Sequence, residues 1–169
     1  MTTFDLRSAR LRSGEEYRDE QEVELGPFVF AGQRYDSVPE RVPAELVITQ
    51  AISGSVFELG FRVRLHGPCY RCLADALVER ELRVREYQAT SPGGSEELAT
   101  PYLVDGRLDL TQWARDSLVL SLPEQILCRP DCAGLCPVCG KDLNRDPHEH
   151  EEAEPDPRWA ALAELRDRL

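Results

Sequence analysis

Between Ala44 and Val84 the chain alternates apolar and polar residues in three successive runs. In the first, Ala44, Leu46 and Ile48 alternate with Glu45 and Thr49. In the second, Phe57, Leu59, Phe61, Val63 and Leu65 enclose Glu58, Arg62, Arg64 and His66. In the third, Ala76, Val78, Leu82 and Val84 repeat the pattern, with Arg80 as an interruption. A period of two marks strands with one buried and one wet face. Ser53-Gly54 supplies the first turn, and His66 to Leu73 the second, so the three strands are expected to form an antiparallel meander. The period then changes. Leu110, Trp113, Ala114, Ser117 and Leu118 share one face of a helix that Asp109 and Gln112 can open as a capping box. Pro123 stops it, and Trp113 is assigned to the core. The expected fold class is α+β: an antiparallel β-meander packed by one or two helices, with a C-terminal cysteine-rich zinc knuckle.

The flanks are less regular. Asp5-Leu6 can begin a short strand, but Gly14 to Glu24 (GEEYRDEQEVE) is mostly charged and reads as a solvated or partner-dependent arm. Gly26-Pro27 punctuates it, Phe28-Val29-Phe30 offers an apolar anchor, and Pro39 and Pro43 bracket the entry to the regular region. Residues 90–101 read as a loop, and Asp105-Gly106 as a turn. After Asn144 the chain turns acidic and proline-bearing. Asp156 can then cap a last short helix, with Pro157 at its first position and Trp159, Leu162, Ala163 and Leu169 as its apolar stripe. This divides the chain into an acidic, partly extended N-terminal arm (1–40), an α+β core (41–127), a zinc-binding segment (128–147), and an acidic linker with a C-terminal helix (148–169).

Composition sharpens this outline. The chain has 169 residues, 41% hydrophobic and 30% charged. That suffices for a genuine core but implies substantial loops or tails. The net charge is −11. The acidic excess lies in residues 1–40, 91–127 and 148–169, while the two regions read as structured are close to neutral. A nucleic-acid binder usually shows a basic face, so strong nonspecific RNA or DNA binding is disfavoured. A basic partner, or tails that keep the protein soluble, fits better. No window resembles a membrane span. The first residues lack the apolar run of a secretory signal, so a reducing, cytoplasmic setting is expected. There, cysteine pairs are metal ligands before they are disulfides.

The six cysteines carry the candidate chemistry. Four follow the pattern Cys128-x3-Cys132-x3-Cys136-x2-Cys139, with Pro137 stiffening the last turn and Gly140 suited to positive φ. Thiolates at such spacing can fold back on one tetrahedral ion, and an all-sulfur set favours zinc, with iron its main competitor. The other two, Cys69 and Cys72, occupy the turn between the second and third strands. Six cysteines cannot all bind one tetrahedral ion. The reading favoured is a local site of Cys128, Cys132, Cys136 and Cys139. A ribbon in which Cys69 and Cys72 face one C-terminal pair stays open, because loop closure grows only slowly with length. His148 and His150 suit zinc but are surplus beside four cysteines. Neither set leaves an open position, so the zinc is expected to be structural.

These residues also carry a resemblance. Cys69-Tyr70-Arg71-Cys72-Leu73, Asp109-Leu110, Leu122-Pro123 and the run from Cys128 through Cys136-Pro137-Val138-Cys139-Gly140-Lys141-Asp142-Leu143-Asn144 together resemble the YceD-like family of large ribosomal RNA subunit accumulation proteins. The resemblance covers residues 40–145. It implies a bacterial or plastid protein acting in 23S rRNA accumulation and large-subunit assembly. No enzymatic activity is implied. The partners implied are the large ribosomal subunit, its 23S rRNA, or a basic ribosomal protein such as L32, whose gene often neighbours those of the family.

The functional expectation is therefore a non-enzymatic ribosome-biogenesis factor with structural zinc. Arg62, Arg64 and Arg71 are candidates for contacting phosphate or a partner, since arginine presents a planar fork. The competing view is that they are solvated strand charges paired with Glu58 and Glu79. The alternative class is a thiol oxidoreductase or a nuclease acting in rRNA processing. A nuclease needs a convergent acidic or histidine site, and a thioredoxin-like CxxC should open a helix rather than a hairpin turn. A DNA-reading role would need a basic helix, and neither expected helix is basic.

Overall fold

The computed structural model describes residues 1–91, 93 and 98–150. The expected C-terminal helix, from Asp156 onward, lies outside the described residues, as does part of the 90–101 loop. The described chain is mostly antiparallel β-sheet with one α-helix. It divides into two units, Met1–Cys132 and Ala133–Leu169, so the boundary falls within the cysteine segment rather than before it.

The first unit is built on β6 (Gly54–Pro68). Its alternating pattern is borne out residue by residue: Phe57, Leu59, Phe61, Val63 and Leu65 are all buried. Along one edge β6 pairs over its whole length with β7 (Asp75–Ala89). The other edge is shared. β5 (Arg41–Gln50) pairs with residues 55–61, and β4 (Gln33–Ser37) with His66 and Leu65. Thus β5, β6 and β7 form the expected consecutive antiparallel run. β3 (Phe28–Phe30) extends the sheet beyond β4.

The N-terminal segment corrects the sequence reading. Glu16–Glu24 is not a solvated arm but a nine-residue strand, β2, paired with β5 from end to end. Its inward positions are Tyr17, Asp19, Gln21 and Val23, opposite Ile48, Leu46, Ala44 and Val42. Two of the four are polar, so no apolar alternation marks the strand. They satisfy one another instead: the Tyr17 hydroxyl and the Gln21 amide both donate to Asp19, at 3.1 and 2.7 Å. The opposite face of this edge strand is charged, which discourages pairing with other chains.

A second, three-stranded sheet has the order β1-β9-β8, from β1 (Thr3–Asp5), β8 (Leu103–Val104) and β9 (Arg107–Asp109). Asp105 and Gly106 make the expected turn between β8 and β9, both at positive φ as a tight hairpin requires. Asp109 then caps helix α1 (Leu110–Ser121), its carboxylate accepting the Gln112 N–H at 2.9 Å. Leu110, Trp113, Ala114 and Leu118 are buried, and the helix packs against β7, β2 and β1. Arg80, the break in the third alternating run, points to this helix: its Nε donates to the Ser121 carbonyl at 3.0 Å. A guanidinium here satisfies a carbonyl that the helix end leaves without a partner.

Candidate metal centre

The hairpin of β6 and β7 ends in the first cysteine pair. Gly67, next to the tip, lies against Tyr35. A Cβ there would come within 2.4 Å of the Tyr35 ring and 2.7 Å of the Arg34 carbonyl, so glycine alone fits. The Tyr35 hydroxyl donates to the Pro68 carbonyl at 2.8 Å. The turn is closed by Cys69 N–H to Ala74 O (2.7 Å) and Leu73 N–H to Cys69 O (3.0 Å), with Leu73 at φ 61°. Tyr70 N–H donates to Ile126 O at 2.8 Å. That bond brings the chain beyond α1 back to the hairpin tip, two residues before Cys128.

Cys69, Cys72, Cys128 and Cys132 consequently converge, with all four sulfurs within 4.8 Å of one another. Cys69 Sγ lies 3.8 Å from Cys132 Sγ, and Cys72 Sγ lies 3.6 Å from Cys128 Sγ. These distances are far too long for a disulfide. They match the edge of a zinc–thiolate tetrahedron, about 3.8 Å for bonds of about 2.3 Å. Cys69, Cys72 and Cys132 are buried, while Cys128 is exposed. The donor set and its spacing fit a tetrahedral metal ion with no open position.

The thiols are electrostatically unequal. Burial alone would raise Cys69, but the backbone N–H groups of Cys72, Cys128 and Arg71 outweigh it and bring the thiol down to about 6. At Cys72 burial dominates and pushes the thiol up to about 12. Cys128 is raised as well, by desolvation of its sulfur against the other thiols although the residue itself is exposed. A metal ion bound here would displace the protons that these thiols carry.

This geometry divides the cysteines differently from the favoured local site. Cys128 and Cys132 group with the hairpin pair, as in the ribbon alternative. Cys136 and Cys139 belong to the second unit, where they group with His148 and His150. The physical reason is the return of the chain to the hairpin tip at Ile126, which local spacing does not encode. The histidines set aside as surplus are the residues that sequence reasoning undervalued. Their signal was the histidine-x-histidine spacing shortly after a CxxC.

The three candidate arginines are engaged within the protein. Arg62 pairs with Glu81 at 2.6 Å and Arg64 with Glu79 at 3.5 Å, each directly across from it on β7. Glu58 pairs instead with Arg85. Arg71 leaves the strand face. Its Nε donates to the Gln125 side chain at 3.2 Å and its Nη1 to the Cys132 carbonyl at 3.1 Å, bracing the cysteine group. Among the described residues, no helix is long and apolar enough to cross a membrane.

Among the described residues, the fold and site together define a predominantly antiparallel β protein with one helix and cysteine groups able to hold metal. The chain belongs to the YceD family, described as "Large ribosomal RNA subunit accumulation protein YceD", which matches residues 57–166. It is 38% identical over 104 residues to an uncharacterized protein of Mycobacterium tuberculosis, an alignment covering 59% of this chain and 49% of the relative. The same figures hold for an uncharacterized protein of Mycobacterium bovis. An uncharacterized protein of Mycobacterium leprae is 37% identical over 103 residues, covering 57% of this chain and 46% of its own. The match thus spans about half the length of these relatives. No solved structure matches the chain.

Proposed function

We propose that this protein is a non-enzymatic, cytoplasmic factor for 23S rRNA accumulation and large-subunit assembly, and that it works by binding a basic ribosomal protein. The family match over residues 57–166 carries the ribosomal part of the reading. Charge supports the choice of partner. The chain has a net charge of −11, and Arg62, Arg64 and Arg71 are all committed to internal partners. Phosphate contact would have to break those pairs, whereas the acidic excess of the chain attracts a basic protein.

Zinc held by Cys69, Cys72, Cys128 and Cys132 has a structural role in this account. It fastens the residues after α1 to the tip of the β6–β7 hairpin, and four protein ligands leave it no position for substrate. Thiol-exchange chemistry is disfavoured for a related reason. An exchanging thiolate must be accessible, and Cys69, whose thiol is held below its ordinary value, is fully buried.

The test is binding by the zinc-loaded full chain, measured in parallel against purified large-subunit ribosomal proteins and naked 23S rRNA over a range of salt. The expected result is capture of one or more basic proteins, with the rRNA left unbound at physiological ionic strength. Binding to naked rRNA that weakens steeply with salt, without capture of any ribosomal protein, would overturn the choice of partner and favour direct rRNA contact.

A further inference from the structure

The second unit contains a differently built cluster. A tight knuckle starts at Leu135, which bridges to Asp142. Cys136 N–H donates to Lys141 O at 2.8 Å and Gly140 N–H to Cys136 O at 2.8 Å, with Gly140 at φ 73°. This folds Cys136 and Cys139 toward one point. Asn144 holds the surrounding loop: its side-chain oxygen accepts Ala133 N–H at 2.8 Å, while its backbone and side-chain N–H groups reach Asp142 at 2.9 and 2.6 Å. Leu143 N–H donates to Gly134 O at 3.0 Å. Asp146 N–H donates to Asp142 O at 3.0 Å, which starts the chain on its return toward the knuckle.

His148 is oriented by that return. Its Nδ1 sits 2.7 Å from the Asp146 carbonyl, and its Nε2 sits 3.1 Å from Cys139 Sγ. A carbonyl only accepts, so Nδ1 carries the proton and Nε2 is left with a lone pair facing the thiols. A backbone carbonyl that fixes the tautomer in this way is a common support for a metal-binding histidine. The His150 ring packs edge-on to His148 at 4.9 Å. One ligand atom from each of Cys136, Cys139, His148 and His150 lies within 4.8 Å of every other. A tetrahedral zinc would set sulfur and nitrogen about 3.5 Å apart, so the observed 3.1 Å contact needs only a slight opening.

From this geometry we infer that Cys136, Cys139, His148 and His150 form a second, Cys2His2 zinc site, separate in its ligands from the four-cysteine group. The two sites differ in character. The first has four thiolates, three of them buried; the second has two thiolates and two neutral imidazoles, with Cys139 and His150 exposed. Solvent and competing ligands reach the second more easily, so it exchanges its ion faster.

The experiment is elemental analysis of the purified, zinc-equilibrated full chain, with zinc release to a chromogenic chelator followed in time. Wild type should carry two ions per chain, released in a fast and a slow phase. His148→Ala/His150→Ala should carry one ion and lose the fast phase, while His148→Cys, which restores a ligand, should keep two. Cys69→Ser/Cys72→Ser should lose the slow phase only, so failure of the first site is distinguishable from failure of the second. One ion per chain in wild type released in the slow phase alone, or a fast phase that survives His148→Ala/His150→Ala, would overturn the inference.

Discussion

Two side chains near the hairpin tip illustrate how much depends on single residues. Gly67 is required by space rather than by backbone conformation, because any Cβ would meet the Tyr35 ring and the Arg34 backbone. Gly67→Ala is expected to cost about 1–3 kcal/mol, as overpacking usually does, read as a lower denaturant midpoint with an unchanged slope. Arg71 braces the cysteine group through Gln125 and the Cys132 carbonyl. Arg71→Ala should therefore speed zinc release from the four-cysteine site while leaving the metal content at equilibrium unchanged. A release rate equal to wild type would mean the brace has no effect on the site. Cys69 and Cys72 were legible in the sequence only as alternative or shared ligands, and the favoured local site left them out. Which sulfurs meet depends on the Tyr70–Ile126 contact, made by residues far apart in sequence.

At the scale of elements, legibility followed the chemistry of the inward positions. β6 was plain because each of its buried positions from Phe57 to Leu65 is apolar. Helix α1 was equally plain, since Asp109 caps it and its buried stripe has helical spacing. β2 was hidden because Asp19 and Gln21 point inward and satisfy each other beside Tyr17. Its strand character comes from pairing with β5, a tertiary effect that outweighs local composition. Arg80 looked like a flaw in β7 and is instead a cap for α1. Two substitutions probe the helix. Trp113→Ala removes the largest fully buried side chain among the described residues and should cost about 3–5 kcal/mol in a denaturant titration. Asp109→Ala removes only the cap and should cost about 1 kcal/mol. Equal losses would mean that α1 is held by its cap as much as by its packing.

At the scale of the whole molecule, a metal that binds only the folded chain adds to its stability. Stripping zinc with a strong chelator should lower the melting temperature of wild type, and re-adding zinc should restore it. The loss should be much smaller in Cys69→Ser/Cys72→Ser, which has already given up the four-cysteine site. The acidic balance of the chain, legible from composition alone, and the internal pairing of its strand arginines, legible only in the fold, both support a basic protein partner over bare RNA.

The measurement that bears most directly on the ribosomal role is the ratio of large to small subunits in sucrose gradients of cells lacking this protein. Those cells would be complemented with either wild type or Cys69→Ser/Cys72→Ser. The account predicts a deficit of large subunits and of 23S rRNA in the deletion strain, restored by wild type and not by the cysteine variant. An unchanged ratio in the deletion strain would contradict the ribosomal role itself. Full rescue by the variant would contradict the claim that the metal-fastened hairpin tip is needed for it.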